Sequence, residues 1–155
     1  SLRQVVEFGR SQVNRGGSVP SGTFTRPSTN VQYPADMSRY QYRDGNGQLQ
    51  WRYPPRDGFA GTPSRTDLPT GTLIDRFGGE GGNFLSPVGT PFGMRALPPS
   101  SSGASYFVYR VLRPLPVQAG QAAPWFGMPG GGVQYRVPQT VDWLVRNGYL
   151  ERLTP

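Results

Sequence analysis

The chain has 155 residues and a formal net charge of +7 at neutral pH, enough length for one domain with a real core. It holds no cysteine and no histidine, and all sixteen basic residues are arginine. Thiolate nucleophiles, disulfides, histidine triads, Schiff-base lysines and the lysine of a phosphate loop are therefore excluded, and no metal site is expected.

In chain order, Leu2, Val5, Val6 and Phe8 follow helical spacing, so a short helix is predicted over residues 2 to 8. From Arg15 to Pro34 the chain is polar and broken by Gly16, Gly17, Pro20, Gly22 and Pro27, which predicts a linker or surface arm. We therefore divide the chain into an N-terminal helix and arm, residues 1–35, and a folded domain, residues 36–155. Tyr40–Tyr42 and Leu49–Trp51 flank Asp44-Gly45-Asn46-Gly47, which predicts a hairpin. The same Asp-Gly-Asn-Gly lacks the remaining ligands and closing glutamate of a calcium loop, so a turn is preferred.

Leu73-Ile74 after Thr70-Gly71 predicts a short buried strand, and Tyr106 to Leu112 a longer one. Val133 to Val137 alternates strictly, with Val133, Tyr135 and Val137 on one face and Gln134 and Arg136 on the other. Thr140 can cap a final helix carrying Val141, Leu144 and Val145, stopped by Gly148. Strands outnumber helices and no βαβ alternation is present. The expected class is α+β with a mainly antiparallel, twisted sheet, few short helices and long loops rich in glycine and proline.

The stretch DRFGGEGGNFLSP, residues 75–87, invites comparison with a dinucleotide loop. G-x-G-x-x-G fails, because Gly79 and Gly81 are followed at the third glycine position by Phe84, and Ser86-Pro87 blocks a helix. What remains is Asp75-Arg76 at a strand end, glycines that let a ligand approach, and Phe84 as a flat apolar surface. Arg76 with Arg95 can clamp a diphosphate. An Asp–Arg ion pair with a surface loop is the plain alternative.

YPPRDGF (53–59), LPTGTLIDRFGGEGGNFLSPVGTPFGMRALPP (68–99), GGGVQYRVP (130–138) and WLVRNGYLERL (143–153) occur in one order. Together they resemble the tuberculosis necrotizing toxin family of NAD+ glycohydrolases, over about two thirds of the chain. The resemblance implies a compact domain related to ADP-ribosyltransferases that hydrolyses NAD+ or NADP+ to nicotinamide and ADP-ribose or its phosphate. Position by position, it implies Arg76, Arg95 and Gln134 as catalytic residues and Phe77, Asn83 and Phe84 as substrate-binding residues. Some members place a histidine between the arginine of R-A-L-P-P and the glutamine; this chain has none.

The residue set suits that reaction. Nicotinamide departs as a neutral molecule from a cationic pyridinium, so cleavage needs no general acid and no cofactor, NAD(P)+ being the substrate. Diphosphate binding, ribose positioning and support of an oxocarbenium-like centre suffice. Gln134 replaces the glutamate a transferase would use, which favours water as acceptor. Glu80, the only glutamate near the glycine loop, is read as a solvated loop acid.

The resemblance further implies a toxin domain, secreted or delivered as part of a larger protein and acting in a target cell's cytosol. The serine at position 1 is likewise expected to mark a piece of a longer chain. A cognate immunity protein, acidic to match this basic domain, is the expected partner. No signal peptide or membrane span is expected. Two other readings are ADP-ribosyltransfer and a basic nucleic-acid-binding module. The second is disfavoured because the arginines are scattered and no helix-turn-helix, RNA-recognition or KH pattern is present.

Overall fold

The computed structural model describes residues 24–155; the helix predicted over residues 2 to 8 lies outside them. Among the described residues there are nine strands and one α-helix: β1 (Gln41–Arg43), β2 (Leu49–Trp51), β3 (Ser64–Leu68), β4 (Leu73–Phe77), β5 (Phe84–Pro87), β6 (Tyr106–Val111), β7 (Leu115–Gln121), β8 (Val133–Arg136), α1 (Val141–Arg146) and β9 (Leu150–Arg152). Strands β1 and β2 form a separate hairpin, and the other seven form one sheet in the order β3-β7-β8-β5-β4-β6-β9. Every pairing is antiparallel. The α+β class with a mainly antiparallel sheet and few short helices is thus what the chain adopts.

One face of the sheet is closed by α1. Thr140 Oγ1 accepts a hydrogen bond from the Trp143 amide at 3.1 Å, and Gly148 adopts φ 78° just beyond the helix, as its sequence predicts. Val141 and Leu144 face inward and meet Ile74, Leu85, Tyr109, Tyr135 and Leu150, all nearly inaccessible. Each such aliphatic side chain removed from water contributes about 1.5–3 kcal/mol, which fixes the register of the central strands.

Alternation then decides what faces the other way. With Ile74 in the core, Asp75 and Phe77 of β4 point to the opposite face, as do Ser86 and Phe84 of β5 and Gln134 and Arg136 of β8. Strands β3, β5, β7 and β9 escape the sequence reading. In β7, Pro116 and Gly120 disguise a strand whose Leu115, Val117 and Ala119 are buried at alternate positions. Gly120 is required there because a methyl group would sit 3.0 Å from the Phe59 ring, which lies against it.

The β1–β2 hairpin forms where expected. Asp44 Oδ1 accepts from the amides of Asn46 and Gln48, both at 2.9 Å, so its carboxylate holds the turn. The hairpin and its flanks are seated on Phe126, whose ring centroid is 5.5 Å from Tyr40 and 5.7 Å from Trp51 and Tyr53. Residues 24–37 run without helix or strand. They are tied to the domain by the Tyr33 hydroxyl, which donates to the Leu97 carbonyl at 2.7 Å, and by Arg26, which donates to the Ser102 carbonyl at 2.6 Å.

Candidate active site

Asp75, fully buried on β4, organises one wall. The Asp–Arg ion pair considered from sequence is present, and its arginine is Arg95 rather than the neighbouring Arg76. Arg95 reaches Asp75 with both terminal nitrogens, at 2.6 and 2.8 Å. Its Nε and NH2 also donate to the Thr90 carbonyl at 3.0 and 2.7 Å. The Tyr106 hydroxyl and the Gly89 amide complete the carboxylate's shell, at 2.7 and 2.9 Å. All three Arg95 nitrogens are engaged inside the protein, and the guanidinium stacks 4.8 Å from the Phe77 ring centroid.

Arg76 follows a different logic. By alternation it belongs to the α1 face, but β4 and β5 pair only at Ile74–Pro87 and Asp75–Ser86 before diverging. The guanidinium occupies that split, with Nε donating to the Gly79 carbonyl at 2.7 Å and NH1 to the Phe84 carbonyl at 3.0 Å. Burial lowers its pKa from the ordinary guanidinium value, the nearby Tyr109 hydroxyl opposing that shift. The glycines wrap this side chain. A methyl on Gly82 would overlap the guanidinium, and one on Gly78, itself at φ 128°, would come within 3.1 Å of it. The sequence suggested that these glycines admit substrate; at Gly78 and Gly82 the group admitted is the protein's own arginine.

The opposite wall is β8 with the loop Arg56–Gly58. Gln134 Nε2 donates to the Asp57 carbonyl at 2.9 Å, which leaves Oε1 as the acceptor end of the amide. Arg56, Asp57 and Gly58 have φ values of 57°, 54° and 81°, three successive left-handed residues. Non-glycine residues in that region cost of order 1–3 kcal/mol each and persist where surroundings over-determine them. Here the anchors are the Ala123 amide on the Gly58 carbonyl at 2.7 Å and the Phe59 ring on Gly120.

Between the walls lies a cleft of about 350 Å3, with a deeper recess of about 50 Å3 beneath it. Arg76, Phe77, Phe84, Arg95, Leu97 and Gln134 line both. The structure thus brings together Arg76, Arg95, Gln134, Phe77 and Phe84. Asn83 is not among the lining residues; its amide is directed at the Val137 carbonyl, 3.4 Å away. Glu80 also stands apart, accepting from the Tyr109 hydroxyl at 2.7 Å and from Arg152 at 3.0 Å. Tyr53, 63 % exposed at the rim, and Asp57, which holds Gln134, are contributors that residue type alone did not single out. The available signal was Tyr-Pro-Pro-Arg-Asp-Gly, where two prolines followed by Asp-Gly force a fixed turn.

Comparison with known proteins bears on the same residues. The family model described as tuberculosis necrotizing toxin matches residues 67–153, spanning β4 to β9 and with them Arg76, Arg95 and Gln134. The conidial surface nicotinamide adenine dinucleotide glycohydrolase nadA of Aspergillus fumigatus is 40% identical over 114 residues, covering 65% of this chain. The chain spans about half of that relative's length, the aligned part being 49% of it. The solved structure of tuberculosis necrotizing toxin complexed with its immunity factor superposes with a TM-score of 0.62 at 26% identity, covering 73% of this chain and 67% of that one. With more than half of its length matched by the family model and its sheet shared with the solved toxin, the chain belongs to the tuberculosis necrotizing toxin family.

Proposed function

We propose that this domain hydrolyses the bond between nicotinamide and ribose in NAD+, and in NADP+, releasing nicotinamide and ADP-ribose or its 2′-phosphate. The carrying observation is the cleft in which Phe77, Phe84, Arg76, Arg95 and Gln134 converge although the chain has no histidine, cysteine or lysine. Hydrolysis of a pyridinium glycoside fits that inventory. The C–N bond breaks with its electron pair going to nicotinamide, water adds to the ribose carbon, and one proton is released to solvent. No acid is needed for the leaving group.

The division of work follows from the geometry. Phe84 offers a ring face within the cleft for the flat nicotinamide. Gln134, held by the Asp57 carbonyl, presents Oε1 as an acceptor for a ribose hydroxyl or for the attacking water. Arg95, with all three nitrogens bonded inside the protein, and Arg76, with Nε and NH1 bonded there, supply fixed positive charge beside the phosphates. A transferase would use a carboxylate at this position to orient the ribose and activate its acceptor, so a carboxamide here favours water.

The domain acts as a toxin on a target cell's dinucleotide pool, delivered as part of a larger protein. An acidic immunity protein covering the cleft is the partner that its positive charge invites. The decisive test is nicotinamide release from NAD+ by the purified domain, with Gln134→Ala as control. Equal rates for both proteins would sink the site assignment. Transfer of labelled ADP-ribose to a protein or DNA acceptor would instead favour a transferase.

A further inference from the structure

Beyond the cleft, the same sheet face carries a second basic feature. The strand register places Arg65 of β3 opposite Gln118 of β7, and Gln118 opposite Arg136 of β8. Directly paired residues share a face, so these three side chains form one row across three strands. With neighbouring strands about 4.8 Å apart, the two arginines are anchored about 10 Å from each other. Together with Pro116 and Pro138 they line a groove of about 250 Å3.

The charges in this groove are poorly compensated. Arg65 is exposed and makes no ion pair among the described residues, although Asp67 lies two residues further along the same strand. Arg136 meets only Asp57, at 3.6 Å, in a pair whose side chains are 42 and 58% exposed. Such a pair is weak and readily exchanged for a better anion. Gln118, between the arginines, adds a neutral amide that can donate without repelling phosphate.

Position connects the groove to the cleft. Arg136 is two residues from Gln134 on β8, on the same face and about 7 Å along the strand. Asp57 joins the two, its carbonyl holding Gln134 and its carboxylate meeting Arg136. A dinucleotide whose nicotinamide ribose lies at Gln134 and whose nearer phosphate meets Arg76 has its adenosine half within reach of this groove.

Resting on the glycohydrolase reading above, we propose that the Arg65–Gln118–Arg136 groove is a phosphate subsite for the adenosine half of the dinucleotide. The arginines can form the forked contacts with phosphate that Arg95, bonded at all three nitrogens, and Arg76, bonded at Nε and NH1, cannot offer. The phosphate is either the adenosine 2′-phosphate of NADP+ or the adenosine end of the pyrophosphate, and the experiment distinguishes the two.

The test uses Arg65→Gln and Arg136→Gln in the described domain with its preceding residues intact. Calorimetric binding of ADP and of adenosine 2′,5′-bisphosphate is measured beside KM and kcat for NAD+ and NADP+. A rise of about tenfold in KM for both substrates, with matching loss of ADP binding and kcat within about twofold, places the pyrophosphate in the groove. A rise confined to NADP+, with loss of the bisphosphate but not of ADP, places the 2′-phosphate there. Unchanged binding of both nucleotides and unchanged KM for both substrates would overturn the proposal. If the wild-type domain releases no nicotinamide, the glycohydrolase reading fails, and nucleotide binding by the variants decides the groove separately.

Discussion

The two walls of the cleft are built on opposite principles. On the β4 side, Asp75 and Arg95 are buried, bidentate and saturated, with Tyr106, Thr90 and Gly89 using the remaining hydrogen-bonding capacity. On the β8 side, Gln134 has one bond to a strained carbonyl, and Arg136 has one long, exposed ion pair. Two arginines that look equivalent in sequence, Arg95 and Arg136, therefore have different work. A buried charge stripped of a partner is destabilising, whereas an exposed one exchanges partners easily. The Asp75–Arg95 pair is a scaffold that fixes the cleft, and the β8 wall keeps polar groups that are less committed within the protein.

Breaking the scaffold has the largest expected effect. Arg95→Ala leaves the Asp75 carboxylate buried without its cation and should cost about 3–5 kcal/mol. At about 2–4 °C per kcal/mol for a domain of this size, the melting midpoint should fall by about 10 °C. A midpoint within a degree or two of wild type would refute the scaffold role.

The opposite wall should respond in rate instead. Gln134→Ala should lower nicotinamide release about 100-fold or more, the usual loss when one positioned polar group of a transition-state site is removed. Its melting midpoint should stay near wild type, because only one exposed hydrogen bond disappears. Gly82→Ala sharpens the comparison further. It forces Arg76 out of the split between β4 and β5 while leaving the Asp75–Arg95 pair untouched, so activity should drop more than stability.

Tyr106→Phe tests the scaffold more gently. Losing the hydroxyl that donates to buried Asp75 should cost about 1–3 kcal/mol. Burial raises the pKa of Tyr106 well above the ordinary tyrosine value, and the adjacent Asp75 adds to the shift. Burial likewise raises Tyr109, with Glu80 adding to it, and Tyr135. Because the folded values are raised, this stability is fully present below the unfolded tyrosine value of about 10 and is lost as pH climbs above it. Denaturant melts between about pH 9 and 11 should show a falling midpoint, and Tyr106→Phe should flatten that fall.

The smallest expected effect is none at all. With no imidazole or thiol in the chain, nicotinamide release should be nearly constant between about pH 6 and 8. A bell-shaped profile in that window would show that a titrating group, absent from the cleft as described, controls the reaction.

Much of the fold was legible from local pattern. The β1–β2 turn, β4, β6, β8, the Thr140 cap and the Gly148 stop all carry short-range signals, and each forms at its expected position. Strands β3, β5, β7 and β9 were not legible, because their periodicity is masked by proline or glycine or is too brief to register. They are held by their neighbours: β7 pairs with β3 from Leu115 to Ala119 and with β8 from Gln118 to Gln121. In the cleft, the family resemblance named Arg76, Phe77, Phe84, Arg95 and Gln134, and the fold does assemble them. It did not show that Asn83 turns toward Val137, that Asp57 orients Gln134, or that Arg65 lies in one row with Arg136.

By itself, the sequence determined the chemistry available: arginine without histidine, cysteine or lysine, a basic balance, and a glycine loop that cannot be a Rossmann motif. It also determined which face of β8 bears Gln134, because side-chain alternation is a local property of a strand. Only the tertiary structure decided which acid each arginine meets and what the glycines accommodate. Those outcomes depend on segments that only folding brings together, since Arg95, in a short turn outside the sheet, reaches Asp75 on an interior strand and Arg76 lodges where two strands diverge. Charge is written in the chain, but whether a charge is spent on the scaffold or left for a ligand is set by burial.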